Sequence, residues 1–138
     1  AKFEAKFDRQ KPAKHFTLGA LADDIARITP GQKISYITDV VYSQSNREQI
    51  VALVKGSDHL FIEAVFLDQD REIAARKHHL TTRQAGHLAA TAQVKHMTVF
   101  HFSPRYTGME EQLREEARAA YDSSTPQMAE DGNQGVVW

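Results

Sequence analysis

Three short runs of β-preferring side chains fix the kind of fold open to this chain. They are KISYITD (33–39), HLFIEAVF (59–66) and KHMTVFHF (95–102), and each reads as a strand. The second is apolar enough to be covered on both faces and carries one charge, Glu63. Helical patterns separate the runs. Ser45 with Glu48 forms a capping box, Ile50, Leu53 and Val54 an apolar face, and Gly56 a stop. Thr81 with Gln84 forms a second box, opening a helix over 82–93 with Ala85, Leu88, Ala89 and Ala92 on one side. Thr107 with Glu110 forms a third, opening a helix to about Tyr121 with Met109, Leu113, Ala117 and Ala120 inward. Residues 67–80 read as a polar, mobile loop. Alternation of strand and helix dictates an α/β fold, a sheet with helices packed on it.

The flanks carry less pattern. Residues 1–30 read as an irregular segment, in which Phe3 and Phe7 suit one helix face or, with Ala5, one side of an edge strand. A short helix or turn over 18–28 is closed by Pro30-Gly31. Residues 122–138, rich in Ser, Gly and acids, read as a disordered tail. The domain of interest is therefore 31–121. Net charge is −1, so no global field gathers nucleic acid, and contact with phosphates requires a local cluster. With no cysteine, disulfides and thiolate metal sites are excluded, which fits a reducing, cytoplasmic setting. No apolar run nears the roughly 20 residues that cross a bilayer. The first residue is not methionine, which suggests a processed or truncated chain.

Chemistry in such folds gathers where strand ends meet loops. Asp39 closes the first strand, Glu63 interrupts the second, His101 closes the third, and His79 opens the way to the middle helix. If the strands are neighbours, Asp39 and His101 meet at one edge, and both suit zinc or manganese. Two ligands fall short of the three that a catalytic zinc needs. Simpler roles stand beside this one. Asp39 suits a turn or helix cap, Glu63 a cross-sheet pair with arginine, His78-His79 a solvated loop, and Arg105 a bond to a carboxylate.

The order of the pieces resembles the C-terminal half of metallo-β-lactamase-fold hydrolases, most closely the ribonuclease Z branch, over about residues 31–121. Thr38-Asp39-Val40 matches the strand end that supplies a metal-bridging aspartate. Ile62-Glu63-Ala64-Val65 matches a His-Glu-Ala-Thr motif, and His79-Leu80-Thr81 a His-Ser-Thr motif. Phe100-His101-Phe102-Ser103-Pro104-Arg105-Tyr106 matches a Thr-His-Phe-Ser-x-Arg-Tyr motif. Ile62 and Val65 depart from the second motif, which moves the expectation from strict tRNA 3′-end processing to a related hydrolase. The family's His-x-His-x-Asp-His motif has no match in this sequence.

The resemblance implies one half of a four-layer αββα fold, a mixed sheet with helices on one face. It implies two zinc ions, or manganese, with Asp39 bridging them and His101 completing one shell. It makes His79 the acid that protonates the leaving oxygen, oriented by Glu63. It sets Arg105 either to a phosphate or to support of the metal-site loop, and Thr81 to cap a helix whose N-terminus faces a phosphodiester substrate such as RNA. Half a catalyst is expected to bind metal weakly and to be inactive alone. Its bare sheet face is expected to meet the other half or a second copy, with no membrane involved. A non-catalytic binding or assembly module on the same scaffold is the alternative.

Overall fold

The computed structural model describes residues 2–5, 14–27 and 29–124. The chain divides after Gly31 into two compact units. In the first, strands β1 (Lys2–Ala5) and β2 (Lys14–Thr17) pair antiparallel, with Phe3 opposite Phe16. Helix α1 (Leu18–Ile25) follows, its N-terminus capped by the Thr17 hydroxyl, which accepts from the Ala20 N–H at 3.3 Å. Residues 2–5 and 14–17, read as irregular or as an edge strand, are thus a strand pair, and the short helix or turn read over 18–28 is α1. The side chains of Phe3 and Phe7, residue Ile28 and the tail from residue 125 lie outside the described residues.

The second unit holds β3 (Ile34–Ile37), α2 (Gln44–Val54), β4 (His59–Glu63), α3 (Arg71–Lys77), α4 (Thr82–Thr91), β5 (Met97–Phe100) and α5 (Glu110–Ser124). The three strands lie in the order β3-β4-β5, and both pairings are parallel, with Ile37 opposite Ile62 and Glu63 opposite Phe100. The sheet is thus parallel throughout these strands rather than mixed. The physical reason is the helix in each connection, which carries the chain back to start the next strand at the same end.

Strand alternation separates two faces. Ser35, Ile37, Leu60 and Ile62 point to the buried side. There Ile37, Leu60 and Ile62 pack with Ile50 and Val54 of α2, with Ala85, Leu88 and Ala89 of α4, and with Ala117 of α5. Each fully buried Leu or Ile contributes about 1.5–3 kcal/mol of burial free energy. On the opposite face Ile34 and Tyr36 are exposed, and Tyr36 stacks on Phe100 at 4.8 Å between ring centroids. A second cluster, under the loops beyond the strand ends, gathers Val65, Phe66, Leu67, Ala74, Tyr106 and Leu113.

Helix boundaries show where local chemistry overrode the simple pattern. The cap of α2 is Ser43, extended at φ −93° and ψ 161°, whose hydroxyl accepts from the Asn46 N–H at 3.2 Å. Ser45 lies inside the helix and bonds Gln49, so the Ser45–Glu48 box does not form. Leu53 is 64% exposed, leaving Ile50 and Val54 as the buried face. The Thr81–Gln84 box is formed in both directions. At α5, Glu110 accepts from the Gly108 N–H while the Thr107 hydroxyl bonds Pro104, so the third box is absent and Met109 stays outside the helix. Residues 67–80 form a 3₁₀ turn (Asp68–Asp70) and α3 rather than a mobile loop. Residues 122–124 continue α5.

At the amino ends of the strands, Asp58 ties two segments together. Its carboxylate accepts from the Lys95 ammonium and the Lys33 N–H, each at 2.7 Å, and these bonds hold its pKa below the usual 3.8.

Helices α4 and α5 approach closely at Gly86. A β-carbon there would lie 2.2 Å from the Ala117 carbonyl oxygen and 2.9 Å from the Tyr121 nitrogen, both backbone atoms that cannot swing aside. Gly86→Ala is therefore expected to lower stability by about 3 kcal/mol in urea titrations, since overpacking outweighs the gain in helix propensity. An unchanged or raised midpoint would show that the helix pair separates freely.

Candidate metal centre

The carboxyl ends of three parallel strands converge on one rim. Glu63, the last residue of β4, is fully buried there. Its carboxylate accepts backbone N–H bonds from Asp39 at 2.6 Å, from Leu80 at 2.9 Å and, weakly, from Val40 at 3.5 Å. The Nδ1 atoms of His79 and His101 lie 3.2 and 3.4 Å from its Oε2. Burying a carboxylate costs several kcal/mol unless such bonds replace water. Here they replace it and draw three loops toward one point.

Asp39 and His101 each follow a strand in the left-handed region, at φ 54° and 63°. Aspartate and histidine tolerate this region better than most residues, and the turn swings each away from its strand. His79 Nδ1 lies 3.8 Å from Asp39 Oδ1, and the His79 and His101 rings meet edge to face at 5.2 Å. One ligand atom from each of Asp39, Glu63, His79 and His101 falls within 4.8 Å of the others. Asp39 and His101, 62 residues apart in sequence, thus share one rim.

This donor set fits a borderline divalent cation. Imidazoles and carboxylates are the side chains that zinc and manganese take. A histidine whose Nδ1 faces a carboxylate keeps Nε2 for a metal, and such outer partners typically orient ligating imidazoles.

Two other expected site residues lie elsewhere in the network. Thr81 is fully buried. Its hydroxyl accepts from the Gln84 N–H at 3.3 Å and donates to Asp68 at 2.9 Å, so it caps α4. The Arg105 guanidinium lies 3.4 Å from Asp70 and stacks 5.6 Å over the Phe66 ring, bracing the loop after His101. Sequence reasoning missed three acids here. Asp68 receives the Thr81 hydroxyl and the Arg71 guanidinium, Glu116 receives the Asp68 N–H and the Thr82 hydroxyl, and Asp70 receives the Tyr106 hydroxyl. Acids in a stretch read as loop, or on a helix of many acids, give no one-dimensional signal.

The model of the β-lactamase superfamily domain matches residues 8–102. The chain belongs to that superfamily. Among curated relatives, Ribonuclease Z of Streptomyces coelicolor is 37% identical over 106 residues, covering 76% of this chain and 34% of the relative. Ribonuclease Z of Thermobifida fusca is 41% identical over 97 residues, covering 70% and 29%. A solved metallo-β-lactamase fold protein, YhfI from Bacillus subtilis, superposes with a TM-score of 0.54 at 22% identity, covering 63% of this chain and 33% of that one. This superfamily member therefore spans about a third of the length of the curated relatives it matches. Its α/β architecture is that of the metallo-β-lactamase fold.

Two outcomes follow from this superfamily rim. Glu63→Ala leaves the N–H groups of Asp39 and Leu80 without their acceptor and is expected to cost about 3 kcal/mol or more in urea titrations; a change under about 1 kcal/mol would remove Glu63 as the hub. Burial first, and the Asp70 hydrogen bond second, raise the Tyr106 phenol above its usual pKa of 10.0. Tyr121 is raised as well, chiefly by burial. The native state holds these protons more tightly, so the stability they contribute is complete below pH 10 and lost as pH rises through the native values. Urea midpoints should fall above about pH 10, and Tyr106→Phe should make that fall shallower.

Proposed function

We propose that this chain is the carboxyl-terminal portion of a metal-dependent hydrolase, and specifically of a phosphodiesterase that cleaves RNA. The observation that carries the reading is the rim itself, where two imidazoles and two carboxylates share a space of 4.8 Å and a fully buried glutamate orients both rings. Asp39 and His101 would hold the cation, zinc first and manganese second. The chemistry such a cation would supply there is a lowered pKa of bound water and polarisation of a phosphoryl oxygen. Glu63 holds His79 at Nδ1, which leaves Nε2 to carry the proton given to the leaving oxygen, a contribution of about 10²–10⁴-fold. The superfamily match and the relatives named Ribonuclease Z support the hydrolase and RNA parts of this reading. Ile62 and Val65, which depart from the second motif, turn the reading away from strict tRNA 3′-end processing.

The chain alone supplies few donors for two ions and has no His-x-His-x-Asp-His stretch. We infer that it binds metal weakly and is inactive by itself. Exposed Ile34 and Tyr36, with half-buried Phe61 and Phe100, form the sheet face opposite the helices. In this reading the face packs on a second sheet from the remaining two-thirds of such a protein, or on another copy. The same face favours the second reading, an assembly module without catalysis. Among the described residues no helix is long and apolar enough to cross a membrane, and the absence of cysteine suits the cytoplasm.

Equilibrium dialysis with zinc tests the centre. The chain is expected to take up zinc, and Asp39→Ala and His101→Ala are each expected to weaken uptake at least tenfold. Submicromolar binding indifferent to Asp39→Ala would refute the assignment. Zinc uptake without cleavage of RNA or bis(4-nitrophenyl) phosphate, even when the rest of such a protein is supplied, would favour the assembly module.

A further inference from the structure

His101 is followed at once by a tight turn, Ser103 to Tyr106, and that turn is fastened to a distant segment. The Ser103 N–H donates to the Val65 carbonyl at 3.0 Å. Tyr106 is buried, accepts from the Leu67 N–H at 3.4 Å through its hydroxyl, and donates that hydroxyl to Asp70 Oδ2. The same carboxylate oxygen receives the Arg105 guanidinium at 3.4 Å. Arg105 lies over the Phe66 ring, and Phe66 packs edge-on against Tyr106 and sits 6.4 Å from the His79 ring. One carboxylate, at the end of the 3₁₀ turn after β4, therefore fastens the loop that leaves His101 and the aromatic ring beside His79.

We propose that Asp70 is a positioning residue of this centre: through Tyr106 and Arg105 it sets the relative placement of the His101 and His79 imidazoles. It touches neither imidazole, and it lies 31 residues before His101 in a stretch whose sequence reads as loop. Both residues it engages sit within five positions of His101, close enough to transmit a displacement through a short, turn-locked backbone. The hydroxyl-to-carboxylate bond is charge-assisted, the class of hydrogen bond that best fixes geometry. The placement of the two rings does not require a cation; only the effect on metal affinity rests on the hydrolase reading above.

The test separates these. In the metal-free, ¹⁵N-labelled full chain, long-range ¹H–¹⁵N spectra report the ring nitrogens of His79 and His101. Asp70→Ala is expected to move the signals of both rings toward free-imidazole values. Asp70→Asn, which still accepts from Tyr106 but loses the Arg105 charge pairing, is expected to move them less. Val54→Ala, at the buried carboxyl end of α2, serves as a destabilising core control, and it should leave both rings where they are. Should Asp70→Ala fail to fold, Tyr106→Phe removes only the hydroxyl and should move the same two rings. In cobalt titrations, Asp70→Ala should weaken binding and alter the d–d absorption, because both imidazoles are displaced. Ring signals that stay unmoved, or move no further than in Val54→Ala, overturn the proposal. Rings that respond while cobalt affinity stays unchanged uphold Asp70 as the positioning residue and defeat its effect on metal affinity instead.

Discussion

A single carboxylate with no access to solvent organises the rim of this molecule. Glu63 sits where β4 ends, and its two oxygens answer the backbone N–H groups of the segments leaving β3 and approaching α4. Without those donors an ionised group there would be too costly to keep buried. With them, the cost of desolvation becomes a constraint on position. The β3 exit and the α4 entry must both come to Glu63, and Asp39 and His79 come with them. His101 arrives from the third strand and closes the set.

The parallel sheet makes this convergence possible. Strands that run the same way present all their carboxyl ends at one rim, and the helices that return the chain pack on the buried face of the sheet. Close packing of α4 on α5 at Gly86 then fixes the direction in which α4 leaves the rim. The Thr81 cap, held by Asp68, fixes where α4 begins. Core packing and site geometry are in this sense one problem, because the segments that bury Leu80 and Leu88 also deliver His79.

Much of the scaffold is legible in the one-dimensional pattern because the strands are short, β-rich and bounded by turn residues. The nearness of Asp39 and His101 is legible once their strands are taken as neighbours, whereas the pairing of His79 with Glu63 comes from the family resemblance and not from spacing. Other features left no trace. Helix α3 buries only Ala74, so REIAARK has too little apolar periodicity to stand out from a loop. Ser43 and Ser45 are equally good caps by composition, and only the extended backbone at Ser43 decides between them. Thr81 carries a motif-like position but spends its hydroxyl on Asp68. Asp70 is one acid among several, and its bond to Tyr106 spans 36 residues that no local rule connects.

The left-handed backbone at Asp39 and His101 narrows what mutation can offer at either place. For the cation-holding role proposed above, a replacement would have to supply a donor atom and also accept a conformation that crowds the β-carbon against the chain. Glutamate, threonine or tyrosine would satisfy the first demand and strain under the second, while glycine would relax the chain and deliver no donor. The admissible alphabet shrinks to aspartate, asparagine and histidine. A search for altered metal preference would therefore succeed sooner by changing what surrounds these two positions than by changing the positions themselves.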